Sequence, residues 1–243
     1  MEHVPAELFG EDYLYFYEGM LTDELSDAQA ELLWRVLGLV EGAEVLDVPC
    51  GHGRIANRLA ARGARVTGLD ADPLFLDLAR AEAAARGVEV VYVRGDMREL
   101  PWENSFDAVV NWFTSFGYFD DEGNRDWLLA ARETLKPGGR LAIELHSRDV
   151  FVRHLLPVTM AERDGDLLVD RHHYDVETGR LATERWVVRG GAVRTMAFSV
   201  RFYSFTELRS LLVDAGFASV EAVGHDGKPL TTETRRMVVV ATR

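Results

Sequence analysis

Val45-Leu46-Asp47-Val48-Pro49-Cys50-Gly51-His52-Gly53-Arg54-Ile55-Ala56 packs an apolar strand, a glycine turn and a helix start into twelve residues. Val45, Leu46 and Val48 supply the strand. Gly51 and Gly53 let the backbone turn and approach a ligand without a Cβ, and Ile55 with Leu59 opens an apolar helical stripe. Such a turn holds a nucleotide-like cofactor. Which cofactor depends on Asp47.

Working outward, the chain repeats strand and helix with short connections. Residues 43–48, 64–69 and 88–93 read as strands. Helices are expected over 54–62, ending at Gly63, and over 73–86, opened by Asp72 and Pro73 and closed by Gly87. A fourth strand spans Phe106 to Asn111, and the following helix turns Trp127, Leu128, Ala131 and Leu135 inward. Lys136-Pro137-Gly138-Gly139 leads into a fifth strand, Arg140 to Leu145. An amphipathic helix over 26–40 precedes all of these, with Ser26 and Gln29 in a capping-box pattern and Ala30, Leu33, Trp34, Leu37 and Val40 on one face. This alternation predicts an α/β, doubly wound, mostly parallel sheet.

After residue 148 the pattern changes. A short helix near 149–156 precedes three strand-like segments, 167–174, 181–189 and 193–203, which form an antiparallel β insertion after strand five. Met196, Phe198, Val200 and Phe202 alternate onto one side of the last segment. Ser204 and Glu207 form a second capping-box pattern for a helix that stops at Gly216, and strands near 217–223 and 236–242 complete a seven-stranded sheet. The expected organisation is a single domain over 1–243: an N-terminal cap and helix (1–42), a cofactor-binding core (43–147), a substrate-side insertion (148–203) and a closing helix and strands (204–243).

The chain has 243 residues and a net charge of −13, so its average field repels phosphate backbones, and nucleic-acid binding is not expected. It lacks an apolar run long enough to span a membrane and a secretory leader pattern, and it has one cysteine, Cys50. These features lead us to expect a cytoplasmic protein without membrane attachment, disulfide or metal centre.

The turn together with Gly68-Leu69-Asp70, Gly95-Asp96-Met97, Phe106-Asp107-Ala108-Val109-Val110-Asn111 and Leu135-Lys136-Pro137-Gly138-Gly139 resembles the class I S-adenosylmethionine-dependent methyltransferases of Rossmann-like fold. The likeness runs from about residue 43 to 145, and more weakly over Tyr203 to Val240. Pro49 departs from it by standing at the family's first glycine position. Gly51-x-Gly53-x-x-Ala56 with Asp70 also fits a dinucleotide-binding oxidoreductase. Against that alternative, an acid at Asp47 repels a pyrophosphate and attracts a sulfonium amino acid.

The resemblance implies S-adenosylmethionine as cofactor and S-adenosylhomocysteine as product. It implies that Gly51 and Gly53 lie against the cofactor, that Asp70, with Ala71 beside it, receives the ribose hydroxyls, and that Asp96 and the Met97 backbone hold the adenine. Asp47 binds the methionine amino end, and Arg54 faces either its carboxylate or solvent. Asn111 and Phe113 end strand four on the cofactor side, and Trp112, Phe113 and Phe116 are expected to wall the substrate entrance. Cys50 lies after strand one, which makes it an improbable nucleophile.

Methyl transfer from a sulfonium needs alignment, water exclusion and sometimes a proton acceptor. The acceptor is expected to be a small molecule methylated on nitrogen or oxygen, and the alternative is a cofactor-binding regulatory or assembly protein without transfer activity. His146 is the foremost candidate base, with Tyr17 as a second catalytic candidate and Tyr13 closing over the cofactor. Tyr15, Glu144, His172, His173, Arg201 and Tyr203 are further polar candidates. The apolar side of the insertion is available to a partner, or to a second copy in a homodimer.

Overall fold

Strand β1 (Glu44–Asp47) runs between two parallel neighbours, which is why Val45 and Leu46, its fully buried centre, are apolar. This computed structural model describes residues 8–243. Residues 1–7 of the expected N-terminal cap lie outside the described residues.

Two helices come first, α1 (Glu11–Tyr17) and α2 (Asp23–Leu37). From β1 the chain runs through α3 (Ala56–Ala61), β2 (Arg65–Asp70), α4 (Pro73–Arg86), β3 (Val90–Arg94), β4 (Phe106–Asn111), α5 (Asp121–Thr134) and β5 (Leu135–His146). Then come α6 (Arg148–Arg153), β6 (Val158–Arg163), β7 (Asp166–Asp175), β8 (Arg180–Arg189) and β9 (Ala192–Arg201). Helix α7 (Phe205–Asp214) and strands β10 (Ser219–Gly224) and β11 (Arg236–Thr242) finish it. The main sheet has seven strands in the order β10-β11-β5-β4-β1-β2-β3, with β11 antiparallel to both β5 and β10, and β6 to β9 form a separate antiparallel sheet. Helices α2 and α3 cover one face of the main sheet, and α5 and α7 the other. The strand order reverses between β1 and β4, and that crevice is where an open α/β sheet binds its ligand.

Local chemistry explains most boundaries. Asp72 caps α4 through Leu74 N–H, Pro73 occupies its first turn, and Gly87 ends it in the left-handed conformation. Ser204 and Glu207 make the expected reciprocal capping box on α7. Helix α2 departs from expectation. Its cap is Thr22, whose Oγ1 accepts from Leu25 N–H at 3.2 Å, so the helix begins earlier than residue 26. Ser26 is an interior, buried residue that donates back to the Thr22 carbonyl, and Gln29 is drawn elsewhere. Strand β5 also starts earlier than expected, because Leu135 already pairs with Phe106 before a register shift.

The insertion has four strands where three were expected. β6 joins β7 through Asp164-Gly165, both with positive φ, the backbone of a tight hairpin turn. Its Val158 and Met160 point to solvent, which weakens the alternation that reveals a strand. The Met196–Phe202 face turns inward. Val200 and Phe202 pack with Tyr118 and Phe151, and Met196 packs with the Phe16 cluster, so this face is covered by the chain itself rather than offered to a second copy. Asp12 binds Arg189 and Arg194, tying α1 to this sheet.

The two glycines of the central turn do different work. A Cβ on Gly51 (φ +53°) would find its nearest neighbour, Phe75, 3.9 Å away, so only its backbone conformation demands glycine. A Cβ on Gly53 would stand 2.3 Å from the Tyr92 hydroxyl and 2.8 Å from the Ala79 methyl. Its missing side chain therefore makes room for protein, besides freeing a left-handed backbone at φ +78°. Gly51→Ala should cost about 1 kcal/mol of unfolding free energy, as expected for a left-handed site. Gly53→Ala should cost about 3 kcal/mol or more through overpacking, read by urea denaturation. Equal costs would refute this division of roles.

Candidate functional site

Three buried acids lie at or near the carboxyl ends of β1, β2 and β5, and each is compensated differently. Asp47, at the end of β1, is 1% exposed, and its Oδ2 has no hydrogen-bond partner among the described residues. Burial pushes its carboxyl up to about 8, with nearby Asp70 adding to the rise and Arg54 opposing it. Asp70, at the end of β2, is also pushed up by burial but accepts the Gly51 N–H at 2.7 Å and the Asp72 N–H at 3.0 Å. It braces the glycine turn and keeps lone pairs for a ligand. Glu144, in β5, is met by an arginine described below.

On β4, Asn111 is fully buried. Its amide donates to the Val48 carbonyl at 2.9 Å, and its Oδ1 has no partner among the described residues. The crevice between β1 and β4 thus carries two acceptor oxygens without donors. Buried oxygens of this kind are costly unless a donor arrives.

Arg54 is 7% exposed, which excludes a solvated helix face. It donates to Ser26 Oγ at 3.1 Å and Gln29 Oε1 at 2.6 Å, and lies 5.6 Å from the Phe113 ring centre. Gln29 also receives Trp112 Nε1 at 3.1 Å, so α2, the turn and β4 meet at one side chain that sequence reading had assigned to capping. Ala71 takes Arg94 on its carbonyl. Asp96, expected at the adenine, is clasped by the guanidinium and backbone N–H of Arg98, while Met97 packs on the main core. Cys50 is buried and its thiol is pushed well up, first by burial and then by Asp47 and Asp70, as suits an inert thiol.

Of the three aromatics expected to wall the entrance, only Phe113 stands there. Trp112 and Phe116 are core residues, the latter packed with Trp127 and Tyr203. Phe113 and Thr114 both adopt left-handed backbone, at φ +61° and +60°, a conformation uncommon outside glycine. Glu144 holds them there. Its Oε2 accepts Phe113 N–H at 3.0 Å and its carbonyl accepts Thr114 N–H at 2.9 Å. Arg236, the first residue of β11, binds both oxygens of Glu144, donates to Thr114 Oγ1 at 2.9 Å and lies 5.0 Å from the Phe113 ring centre.

Arg236 also reaches His146 Nε2 at 2.8 Å. A guanidinium only donates, so Nε2 accepts and the imidazole proton sits on Nδ1. Burial, and then Arg236, push His146 down to about 3. The expectation that His146 is a base is corrected: its outward lone pair is already occupied, and its ring packs against Phe151 and Phe202.

The N-terminal tyrosines divide. Tyr15 turns away, donating to the Arg163 carbonyl. Tyr13 and Tyr17 stack at 4.7 Å, and Tyr13 continues to Phe75 in α4, bridging the insertion and the cofactor crevice. Tyr17 Oη receives Arg185 Nη2 at 3.2 Å. His172 is held between Thr159 and Thr183. Arg201 and Tyr203 make structural contacts with backbone carbonyls and with Asn124, and His173 is exposed. Arg236, Arg185, Asp170 and Tyr118 were not anticipated. For Asp170 and Arg185 the available signal was parity, since both fall on the inward positions of their strands.

Residues 45–139 match a family described as a methyltransferase domain. The chain is 33% identical over 141 residues to a putative methyltransferase of Geobacillus sp., covering 56% of this chain and 57% of that protein. It is 29% identical over 212 residues, 84% of each chain, to the cypemycin N-terminal methyltransferase of a Streptomyces species. It spans about half the length of several curated relatives it matches. The CcbJ methyltransferase of Streptomyces caelestis shares the fold, with a TM-score of 0.78 and 24% identity over 96% of both chains. The family match and the curated relatives support a class I S-adenosylmethionine-dependent methyltransferase domain over residues 45–139, and the strand order, with acids ending β1 and β2 beside the glycine turn, gives the fold shared with the solved methyltransferase.

Proposed function

We propose that this protein transfers the methyl group of S-adenosylmethionine to a nitrogen or oxygen of a small-molecule acceptor. The observation that carries this reading is the Asp47 Oδ2 at the end of β1, buried without a partner among the described residues. An amino acid's ammonium brings donors to this oxygen and favours its ionisation, whereas a pyrophosphate brings none. The cofactor's sulfonium supplies an already activated methyl group. For the chain's own residues there remain binding, orientation and water exclusion. Asp47 and Asn111 receive the amino end, Asp70 the ribose hydroxyls, and the backbone at Gly51 lies alongside. Arg54, fixed from α2, offers charge to the carboxylate. Phe113, held by Glu144 and Arg236, forms the wall against which the acceptor approaches, and Tyr17 is the residue we place in contact with the acceptor. We further place the protein in the cytoplasm, where a reduced thiol such as Cys50 persists.

The direct test incubates the protein with S-adenosylmethionine and a panel of amines, amino sugars, phenols and carboxylic acids, reading methyl gain by mass spectrometry. Transfer to at least one acceptor is expected. Tight cofactor binding with no transfer to any class would instead favour a binding protein.

Asp47 provides a second test. Burial holds its carboxyl at about 8 even with Arg54 nearby, so at pH 7 it is mostly protonated, and an arriving ammonium drives it to ionise. Calorimetry of S-adenosylhomocysteine binding at pH 7, in buffers of different ionisation enthalpy, should show release of close to one proton, absent in Asp47→Asn. The sign for stability follows from linkage. The folded value lies above the unfolded value of about 3.9, so the group costs nothing below pH 4 and destabilises increasingly up to about pH 8. Asp47→Asn should therefore melt higher than the parent protein at pH 8 and match it at pH 4, while binding S-adenosylhomocysteine more weakly.

His146 should remain neutral at pH 5, with its proton on Nδ1, in nitrogen-15 NMR spectra. Titration in the ordinary histidine range near 6.5 would overturn the assignment of its lone pair to Arg236.

A further inference from the structure

The inner face of the insertion carries a charge pair that neither the cofactor site nor the fold accounts for. Asp170 and Arg185 are direct cross-strand partners on β7 and β8, both 6% exposed. Arg185 binds Asp170 in bidentate fashion, Nε to Oδ1 and Nη2 to Oδ2, each at 2.7 Å, and Nη2 also reaches the Tyr17 hydroxyl. Its Nη1 has no hydrogen-bond partner among the described residues, and it is not among the polar atoms sealed from solvent.

The surroundings are aromatic. The guanidinium lies 5.3 Å from the Phe198 ring centre and 6.0 Å from that of Tyr17. Tyr118 stacks on Phe198, Tyr13 stacks on Tyr17, and Phe9 joins Tyr13 to Tyr118 edge-on. The hydroxyls of Tyr13 and Tyr118 likewise have no hydrogen-bond partner among the described residues, and burial pushes both phenols up, so they stay protonated donors. The donors left over are a guanidinium nitrogen and two phenols. Both oxygens of the one nearby acid, Asp170, are taken by Arg185. Among the described residues no free carboxylate is left there for an ammonium, and the guanidinium repels a second cation.

We propose that Arg185 Nη1, with the phenols of the neighbouring Tyr13 and Tyr118, is the recognition point for a carboxylate on the methyl acceptor, with Asp170 fixing the guanidinium plane. This assignment rests on the methyl-transfer reading for its location beside the cofactor crevice. A carboxylate gains charge-assisted hydrogen bonds from this set, its body gains the aromatic walls, and the nitrogen or oxygen to be methylated is the remote end of the molecule.

Sodium benzoate, benzamide and benzylamine are suitable probes, titrated by ligand-observed NMR onto protein saturated with S-adenosylhomocysteine. Benzoate should bind at least about tenfold more tightly than benzamide, and benzylamine more weakly still. Arg185→Met alone leaves Asp170 buried without its partner, so the informative variant is Asp170→Leu with Arg185→Met, which removes both charges and preserves packing. It should lose benzoate affinity about tenfold or more while keeping its S-adenosylhomocysteine affinity by calorimetry. Arg185→Lys, which retains the charge, should fall between the parent and the double variant. Equal affinity for benzoate and benzylamine, no benzoate binding, or unchanged benzoate affinity in the double variant would each overturn the proposal. Benzoate binding in a protein that takes up no S-adenosylhomocysteine would sink the methyl-transfer reading and leave this subsite standing.

Discussion

The ion pair between Glu144 and Arg236 joins β5 to β11, and the rest of the crevice hangs from it. Taking a carboxylate and a guanidinium out of water costs several kcal/mol per ion, which only close pairing and full hydrogen bonding offset. Here the pairing is bidentate, and the remaining capacity of Glu144 goes to the Phe113 N–H, with its carbonyl taking Thr114 N–H. Two successive non-glycine residues in left-handed backbone cost of order 1 kcal/mol or more each. They persist because one residue of a neighbouring strand holds both amides. That fixes the Phe113 ring between Arg236 and Arg54, and Arg54 is in turn set by Ser26 and Gln29 of α2. An ion pair at the edge of β5 therefore positions an arginine beside the turn after β1.

The buried acids of the site share one chemistry and differ in compensation, and the difference separates structural from binding roles. Glu144 has an arginine and an amide. Asp70 has two backbone N–H groups, which draw its carboxyl back against the upward push of burial. Asp47 has Arg54 nearby but an oxygen with no partner, and its carboxyl rises to about 8. A group left in that condition lowers the stability of the free protein and gains most when a cationic donor arrives. Binding energy is thus reserved at one position rather than spread along the crevice.

Much of the fold was legible because each boundary is settled by neighbours in the chain. Asp72, Pro73 and Gly87 bound α4, Phe106 to Asn111 bound β4, and Ser204 with Glu207 start α7. The misreadings share the opposite property. Ser26 has the chemistry of a cap, but its hydroxyl receives Arg54 from 28 positions away, and Thr22 takes the role. His146 reads as a base until Arg236, 90 positions on, takes its lone pair. Trp112 and Phe116 carry the same aromatic signal as Phe113, yet alternation and turn geometry bury the first two and present the third. The β6 strand was missed on hydropathy, although Asp164-Gly165 carried a hairpin signal in plain view.

The same distinction explains why the cofactor was readable and the acceptor was not. Residues facing the crevice come from short windows at strand ends, 47–54, 70–71 and 111–113, where the turn, the acid and the helix start must occur together. Residues facing the acceptor side come from α1, from the segment after β4 and from the inner faces of β7 to β9. These are brought together by contacts such as Asp12 with Arg189 and Arg194. No window contains two of these elements, so their joint chemistry has no local pattern. What remains visible in sequence is parity. On β7 and β8 the inward positions run Leu168, Asp170, His172 and Leu181, Thr183, Arg185, Val187, with polar groups interrupting an otherwise apolar face. A sheet that only needed to cover a core would be apolar throughout that face. The polar residues are where its inner surface has been committed to something other than packing.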